Sequence, residues 1–378
     1  MKILFTGGGT GGHFYPIIAV AEAIEDISRE QKLVEPQMYF AAPDPYDRDQ
    51  LIAHGITFVP TAAGKLRGYF SVWNFFDFFK TSWGVVRSLI RIFFLYPDVV
   101  FGKGGYTSFP TLLAAKLFRI PVVIHESDAV PGRVNLWAGK FAAFIAVSFD
   151  AAAVHFPKDK VALTGNPVRK AAQFVAPEGA YQFLKLDAAI PTILVLGGSQ
   201  GATALNDVVL AALPLLLPHY QIVHQTGTAN LKEVEGRAKI ILQGSDFGSR
   251  YKPFGYLNDL AMKMGAGAAS VVVSRAGSTI FEIAAWGKPS ILVPLPLEVA
   301  ADDHQTKNAY TYARAGACAV IEQQNLLPAV LAAEVARIVE HPEIAAKMRE
   351  SAKHFSRPDA GKIIAQKLLD IGLSHETD

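Results

Sequence analysis

The chain has 378 residues, of which 51% are hydrophobic and 19% charged, and this composition excludes a disordered protein. Its 36 basic and 34 acidic residues leave a net charge of +2, which gives no overall field for binding nucleic acid. A single cysteine, Cys318, excludes a disulfide framework and a cysteine-based zinc site. The start, MKILFTGGG, is too short an apolar run for a signal peptide, and no apolar stretch reaches the ~18 residues of a membrane span. We therefore expect a cytoplasmic protein of two or three domains, or one large one.

The first half of the chain alternates short apolar strands with helical stretches. Lys2–Thr6 predicts a strand, and the spacing of alanine and isoleucine predicts a helix from Pro16 to about Ile27, with the proline in its first turn. Further strands are predicted at Met38–Ala42, Asp98–Phe101, Pro121–His125 and Ala143–Ser148. Short apolar strands separated by helices indicate a parallel sheet that is covered on both faces.

The same alternation restarts after Gly165–Asn166–Pro167. A strand at Thr192–Leu196, a glycine turn at Gly197–Gly201 and a helix at Thr203–Leu213 are predicted to follow a linker and first helix at Ala171–Leu186. Later strands are predicted at Ile222–Gln225, Ser270–Ser274 and Ser290–Pro294. We therefore predict two doubly wound α/β domains with a boundary near residue 167. The final helical pattern, Ala360–Leu373, is compatible with either domain.

Three glycine-rich loops follow predicted strands. Residues 7–12 contain G-x-G-x-x-G, the dinucleotide fingerprint, but the acid expected after the second strand comes only late, at Asp44, which disfavours NAD. Residues 102–108 resemble half a P-loop without its spacing, and Gly197–Ala202 opens the first helix of the second domain. Open α/β sheets bind ligands at the carboxyl ends of their strands, so the loops predict a cleft between the two domains. Tight packing of strand against helix is the alternative role for the first loop.

Polar residues beside these loops are candidates for catalysis. His13 stands at a helix start, where the helix dipole favours a neutral imidazole that can take a proton from an attacking hydroxyl. His125, Glu126 and Asp128 end a strand at the same edge of the sheet. Capping of local backbone is the alternative role for all four residues.

A second group of polar residues suits a nucleotide sugar. The small residues of Ser274–Thr279 expose main-chain N–H groups to a phosphate, and Glu282 one turn later suits both hydroxyls of a ribose, with an ordinary surface acid as the alternative. His304, Gln305 and Asn308 share a helix face and suit sugar hydroxyls or helix capping. The D-x-D at Asp47–Asp49 is interpreted as a solvated surface, and the sequence requires no metal or cofactor.

The segment from Lys65 to Tyr96 is unusually aromatic and basic. Its rings are Tyr69, Phe70, Trp73, Phe75, Phe76, Phe78, Phe79, Trp83, Phe93 and Phe94, and the basic residues between them are Lys65, Arg67, Lys80, Arg87 and Arg91. Aromatic and basic side chains together favour the membrane interface. A buried aromatic helix and a surface for single-stranded nucleic acid are the alternatives.

Taken in order, the motifs resemble the MurG family of peptidoglycan glycosyltransferases, which add N-acetylglucosamine to lipid-linked muramyl-pentapeptide. The matching pieces are GGTGGHFYP at 8–16, KGGYTSFP at 103–110, HES at 125–127, GNPVR at 165–169, GGSQGA at 197–202, SRAGSTIFEI at 274–283 and DHQTKNA at 303–309. The resemblance implies the GT-B fold, in which two Rossmann-like domains face each other across a cleft. The implied domains are 1–166, with a C-terminal helix at about 358–378 packed back on it, and 167–357.

The resemblance also implies roles for individual residues. On the donor side, UDP-N-acetylglucosamine would contact Glu282 through its ribose, Ser199 through its diphosphate and His304 and Gln305 through its sugar, with the uracil near Leu257. Arg169 and Thr279 would line that site, and Thr10, Gly11, Gly12, Asp128 and Asn308 would complete the substrate-binding set. Tyr106, His125 and Asn135 would lie on the acceptor side, with His13 and Glu126 as catalytic residues. Trp73, Phe75, Phe76, Phe79 and Trp83 would form a membrane patch for a peripheral protein at the cytoplasmic face of the inner membrane.

The implied reaction is a direct displacement with inversion, in which His13 or a nearby carboxylate takes the proton of the acceptor's 4-hydroxyl. Two departures from the family pattern affect the substrate contacts: Asp128 replaces the usual Asn, and the turn before Glu282 is one residue shorter. Three alternatives stay open from the sequence. They are a related transferase with another lipid acceptor, a nucleotide-sugar 2-epimerase, and a non-catalytic relative that binds a UDP-sugar.

Overall fold

The computed structural model describes residues 1–64, 73–198, 201–296 and 303–374, without the side chains of residues 73–76 and 78. The chain divides into two compact units. The first comprises Met1–Lys170 and Arg357–Asp378, and the second comprises Ala171–Ser356.

The elements follow one another in chain order. Up to residue 170 the strands are β1 Lys2–Thr6, β2 Gln37–Ala42, β3 Thr57–Pro60, β4 Val99–Gly102, β5 Val122–Glu126, β6 Phe144–Val147 and β7 Val161–Leu163. The helices of this part are α1 Gly11–Glu30, α2 Arg48–Ala53, α3 Trp73–Leu95, α4 Phe109–Leu117, α5 Arg133–Ala138 and α6 Asp150–Ala153.

The later strands are β8 Thr192–Leu196, β9 Gln221–Gln225, β10 Tyr251–Phe254, β11 Ala269–Ser274, β12 Ser290–Leu292 and β13 Cys318–Val320. The helices are α7 Lys170–Gln173, α8 Ala180–Phe183, α9 Thr203–Leu216, α10 Leu231–Ile241, α11 Asp259–Ala268, α12 Thr279–Trp286, α13 His304–Arg314, α14 Pro328–Val339, α15 Pro342–Phe355 and α16 Ala360–Ser374.

The first unit is built on a seven-stranded parallel sheet in the order β3-β2-β1-β4-β5-β6-β7. Leu4 in the central β1 lies opposite Tyr39 on one side and Val100 on the other. The strand order reverses between β1 and β4, and at such a switch point the loops leave a crevice for a ligand. The topology confirms the predicted doubly wound sheet.

The C-terminal helix α16 belongs to the core of this first unit. Its buried residues Ile364, Leu368 and Leu369 pack in the same apolar cluster as Ile17 and Ile24 of α1. Two apolar helix faces therefore cover one side of the sheet.

The second unit repeats the architecture with a six-stranded parallel sheet in the order β10-β9-β8-β11-β12-β13. Val195 of β8 and Val273 of β11 pair in register and are buried with Leu205 and Val209 of α9. Here too the strand order reverses between neighbours, β8 and β11, so the loops after them are the expected ligand loops.

One predicted detail is wrong. Helix α1 begins at Gly11, so Pro16 lies inside the helix and not in its first turn. The N–H groups of His13 and Phe14 both donate to Thr10 O at 3.1 Å, which starts the helix upstream of the proline. The ring removes the hydrogen bond that a main-chain N–H at residue 16 would give to the carbonyl of Gly12.

Candidate active site

The first half-site consists of the loops after β1, β4 and β5, residues 7–10, 103–108 and 127–132. The loops after β1 and β4 approach each other so closely that a Cβ on Gly7 would lie 2.9 Å from Lys103 Cβ, and Gly7 also has a φ of +152°. Only glycine fits both demands, which explains why the chain carries glycines here.

His13 lies in the first turn of α1 with its imidazole turned toward the loop after β4. Its Nδ1 is 2.8 Å from Thr10 Oγ1, and a Cβ on Gly105 would lie 3.5 Å from His13 Nε2. The ring is half-buried, and the neighbouring Tyr106 is 39% exposed. A hydrogen bond at Nδ1 fixes the orientation of the ring, and Nε2 faces the loop.

Glu126 ends β5 and is almost completely buried. One carboxylate oxygen accepts a hydrogen bond from the N–H of Asp128 at 2.9 Å, and the other accepts from the N–H of Gly132 and from Asn135 Nδ2, both at 2.9 Å. Burial raises the pKa of the Glu126 carboxyl, and the charge of Asp128 raises it further. Glu126 therefore holds the loop that carries the half-exposed Asp128.

Two residues assigned to the acceptor side, His125 and Asn135, are buried behind this loop. His125 Nε2 lies 3.0 Å from Gly165 O and 3.2 Å from Ser148 Oγ. Burial lowers the pKa of His125 well below its usual value, so the ring is neutral. Asn135 Nδ2 also donates to His125 O at 3.0 Å. Asn135 supports the loop through Glu126, and the His125 side chain joins the end of β5 to Gly165 and Ser148.

Arg169 and Lys103 are two further basic residues of the first unit. Arg169 lies in the first unit, where its guanidinium carbon is 4.1 Å from the centroid of the Tyr15 ring. Lys103, which directly follows β4, is 1% exposed, and burial lowers its pKa to about 8. The sequence analysis did not select Lys103, and its only signal was its position before two glycines at a strand end.

The second half-site consists of the loops 197–202 and 275–278 and the start of α13. Ser199 lies outside the described residues. Gly201 has a φ of +78°, and a Cβ there would fall on the carbonyl of Thr226 and the amide of Asn230, so the loop requires glycine. The loop leads into α9, whose N-terminal N–H groups suit an anion.

The loop 275–278 leads into α12, which carries Thr279 at its first position and the half-buried Glu282 in its first turn. A Cβ on Gly277 would meet no atom within 4 Å, so the main chain is open to a ligand at this position. Asn308 Nδ2 donates to Ala276 O at 3.2 Å and holds the loop from behind.

Side chains of this second half-site also brace its walls. Arg275 donates from Nη1 to Val293 O at 3.1 Å and from Nη2 to Gln323 Oε1 at 2.8 Å. Gln305 Oε1 accepts from the N–H of Leu295 at 3.1 Å. His304 is the first residue of α13 and is half-buried.

Leu257, which was expected near the uracil, is also held by a hydrogen bond. Leu257 is buried, and its N–H donates to Gln225 Oε1 at 3.2 Å. The second unit therefore brings Leu257, Thr279, Glu282, His304, Gln305 and Asn308 to the ends and loops that follow its parallel strands.

Helix α3 carries an exposed apolar surface, which we call the aromatic stripe: Phe79, Trp83, Val86, Ile90, Phe93 and Phe94. Of the predicted membrane patch, Phe79 and Trp83 are 56% and 60% exposed. The side chains of Trp73, Phe75 and Phe76 lie outside the described part of the chain. Between α3 and the edge strand β3 is a groove of about 660 Å³, and Arg87 and Arg91 line it together with Trp83, Ile90 and Phe94.

The D-x-D motif at Asp47–Asp49 has a structural role. Asp47 Oδ1 accepts from the N–H of Gln50 at 3.2 Å and so caps α2, and its Oδ2 accepts from the Tyr15 hydroxyl at 3.3 Å. Within the described ranges, no group of three or more His, Cys, Asp or Glu side chains is placed to hold a metal ion. Within the same ranges, no helix combines the length and the apolar character needed to cross a membrane.

Two parallel-sheet units with glycine loops at their strand ends define a protein of the GT-B fold class. The model of the glycosyltransferase family 28 N-terminal domain matches residues 3–147, and that of the family 28 C-terminal domain matches residues 192–363. The fold that the motifs predicted is thereby confirmed.

Relatives that are similar over most of the chain indicate which glycosyltransferases it belongs with. A Bacillus cereus protein named UDP-N-acetylglucosamine–N-acetylmuramyl-(pentapeptide) pyrophosphoryl-undecaprenol N-acetylglucosamine transferase 2 is 35% identical over 98% of this chain and 99% of its own length. A Treponema denticola transferase of the same name, without the number, is 37% identical over 86% of this chain and 85% of its own length. The crystal structure of Acinetobacter baumannii MurG matches with a TM-score of 0.71 at 25% identity, over 98% of this chain and 99% of that one. The chain belongs to the MurG family of these transferases, as its motifs indicated.

The same fold occurs in solved structures with much lower sequence identity. The Staphylococcus aureus MnaA–UDP structure matches with a TM-score of 0.68 at 17% identity, over 98% of both chains. At that identity the match shows the fold alone.

Proposed function

We propose that the chain transfers N-acetylglucosamine from UDP-N-acetylglucosamine to the 4-hydroxyl of lipid-linked N-acetylmuramyl-pentapeptide, with inversion at the anomeric carbon. The observation that carries this proposal is the 35% identity to a transferase of that name over 98% of the chain. The order of the seven motifs and the two family 28 domains agree with it.

The second half-site is the donor site in this proposal. Glu282 accepts hydrogen bonds from the two ribose hydroxyls, since a carboxylate has two acceptor oxygens at the right spacing. Main-chain N–H groups at the starts of α9 and α12 face the diphosphate, and the open position at Gly277 allows close approach. His304 and Gln305 contact the sugar, and the uracil meets main chain near Leu257.

The first half-site is the acceptor site. His13 takes the proton of the attacking hydroxyl at Nε2, and the hydrogen bond between its Nδ1 and Thr10 Oγ1 fixes the ring. Glu126 acts as a positioning residue, because both of its oxygens already accept hydrogen bonds from the loop. Tyr106 and Asp128 are the more exposed side chains available to the acceptor.

UDP leaves as the new glycosidic bond forms, and its developing charge is met by main-chain N–H groups and helix N-termini. We therefore expect turnover without an added cofactor. Rates in EDTA and in magnesium test this expectation, and a rate that disappears in EDTA and returns with metal would contradict it.

The aromatic stripe supports a location at a membrane surface, where the lipid of the proposed acceptor resides. Its exposed rings suit the acyl boundary, and Arg87 and Arg91 beside the groove suit anionic headgroups. The proposed location is peripheral, on the cytoplasmic face.

The reaction is tested by incubating the full chain with UDP-N-acetylglucosamine and a short-chain lipid-linked muramyl-pentapeptide. We expect UDP and a lipid-linked disaccharide in equal amounts by mass spectrometry. Binding of the UDP-sugar without disaccharide would support only the donor half of the proposal and would overturn the acceptor.

A further inference from the structure

Lys103 is a buried cation inside the acceptor half-site. Its N–H donates to Thr6 O at 2.9 Å, which anchors it next to β1, and its Cβ lies against Gly7. The side chain is 1% exposed and its Nζ has no hydrogen-bond partner. An ammonium group in the interior is strongly destabilising unless an opposite charge compensates it.

The compensating charges come from the next strand end. The loop after β4 packs against the group that holds Glu126: a Cβ on Gly104, the residue after Lys103, would lie 2.7 Å from Asn135 Nδ2, and that amide donates to Glu126 Oε2 at 2.9 Å. In this arrangement the charges of Glu126 and Asp128 favour the charged form of Lys103 and oppose the lowering of its pKa by burial. The same ammonium favours the ionised form of Glu126. Two histidines of the described residues belong to the same group: Lys103 helps to keep His125 neutral, and His13 also lowers the pKa of His125.

The charge of Glu126 matters because this carboxylate organises the loop 127–132. It accepts hydrogen bonds from the N–H groups of Asp128 and Gly132 and from the Asn135 amide. Hydrogen bonds to an ionised acceptor are roughly twice as strong as those to a neutral one. Two carboxylates in one loop also repel each other and raise each other's affinity for a proton.

We propose that Lys103 is a positioning residue of the acceptor half-site, whose buried ammonium compensates Glu126 and Asp128 and thereby keeps the 127–132 loop ordered for the acceptor. The proposal rests on the proposed function for its rate measurement only. The pKa of Lys103, lowered to about 8 by burial, leaves the side chain charged at neutral pH.

The test compares the pH profiles of kcat/KM for the wild type and for Lys103→Met, which keeps the length of the side chain and removes its charge. Loss of a positive charge raises the pKa of its acidic and basic neighbours, so the acid limb should move to higher pH by about one unit or more. Lys288→Met is the matched control, since Lys288 is half-buried and its pKa is likewise lowered to about 8, but it donates to the carbonyls of Gly267 and Ala269 in the other unit. Its acid limb should stay in place.

A measurement of stability tests the role of Lys103 without depending on the proposed reaction. Lys103→Met is made alone and together with Glu126→Gln, and chemical unfolding of the full chain is followed at pH 7.5 and pH 5. At pH 7.5 we expect Lys103→Met to shift the unfolding equilibrium about tenfold less in the Glu126→Gln background than alone, and this difference should shrink at pH 5 as Glu126 becomes protonated.

The outcomes are distinct. An unmoved acid limb in Lys103→Met, or equal shifts in the two backgrounds at pH 7.5, would overturn the role of Lys103. A wild-type chain without turnover would count against the proposed function, and the unfolding measurements would still decide the role of Lys103. Intact UDP-sugar binding by Lys103→Met shows that the second unit is folded.

Discussion

Removing two rings of the aromatic stripe should release the protein from membranes. Phe93 and Phe94 are 61% and 80% exposed at the end of α3, and their ring centroids are 5.4 Å apart. Full burial of such a side chain is worth about 1.5–3 kcal/mol, so the exposed parts of the two rings together offer on the order of 3 kcal/mol to a bilayer. At 1.4 kcal/mol per factor of ten, Phe93→Ser with Phe94→Ser should weaken vesicle binding about a hundredfold.

The assay is co-sedimentation with large unilamellar vesicles that contain phosphatidylglycerol. Val34→Ser and Val154→Ser are matched controls, since both valines are at least 80% exposed in the first unit and lie outside α3. The controls should bind vesicles like the wild type, and all variants should keep its melting temperature. Unchanged binding by the double variant, or an equal loss in the controls, would refute the membrane role of α3.

The other predictions concern the two half-sites and two lysines whose pKa values are lowered. His13→Ala should reduce kcat about 10²–10⁴-fold with unchanged UDP-sugar affinity by calorimetry, and equal turnover would remove the role as base. Glu282→Ala should weaken UDP-sugar binding about tenfold or more because it removes acceptors for the ribose hydroxyls, and equal affinity would remove that role. Gly277→Ala should also weaken that binding while leaving thermal stability nearly unchanged, since its Cβ meets no protein atom within 4 Å. A stability loss without a binding loss would show that the loop is structural. The pKa values of Lys103 and Lys288 are lowered to about 8, below their value in the unfolded chain, so the unfolded state binds more protons above pH 8. The free energy of unfolding should therefore rise between pH 8 and 9, and Lys288→Met should remove about half of that rise, whereas an undiminished rise would exclude a contribution from Lys288.

The central strands of each sheet could be predicted from the sequence, and the edge strands could not. The central strands of both sheets carry short runs of apolar residues because helices cover both faces. The four strands that the sequence analysis missed are β3, β7, β10 and β13, and these are the outermost strands of the two sheets. Edge strands pair on one side only and are partly exposed, so their sequences, such as YKPF in β10, lack that apolar run.

The candidate site was likewise only partly predictable from the sequence. Glycine loops and the residues beside them were found because they follow strands whose ends meet at one edge of a sheet. The buried supports were not recognised as such: the side chains of His125 and Asn135, which were assigned to the acceptor side, are buried and make hydrogen bonds within the first unit. Lys103 lay in the matched motif at 103–110 but was given no role. Burial of a polar side chain depends on which elements pack over it, and the spacing of residues in one sequence does not contain that information.

Asp128, which stands where the family pattern has Asn, interacts with two charged groups of the first unit. Its N–H donates to Glu126 Oε1, and its carboxylate acts on both Glu126 and Lys103. In the role proposed above, the buried ammonium of Lys103 compensates part of this negative charge. Asp128→Asn should then lower the pKa of Glu126, because it removes a neighbouring negative charge.

The central claim is the transfer of N-acetylglucosamine to a lipid-linked muramyl sugar. The most direct measurement follows UDP release and product mass when the full chain meets UDP-N-acetylglucosamine and short-chain lipid-linked muramyl-pentapeptide. Transfer to the muramyl sugar should give one lipid-linked disaccharide for every UDP released, and His13→Ala should lose both. Release of UDP with free or epimerised sugar and no disaccharide would contradict it.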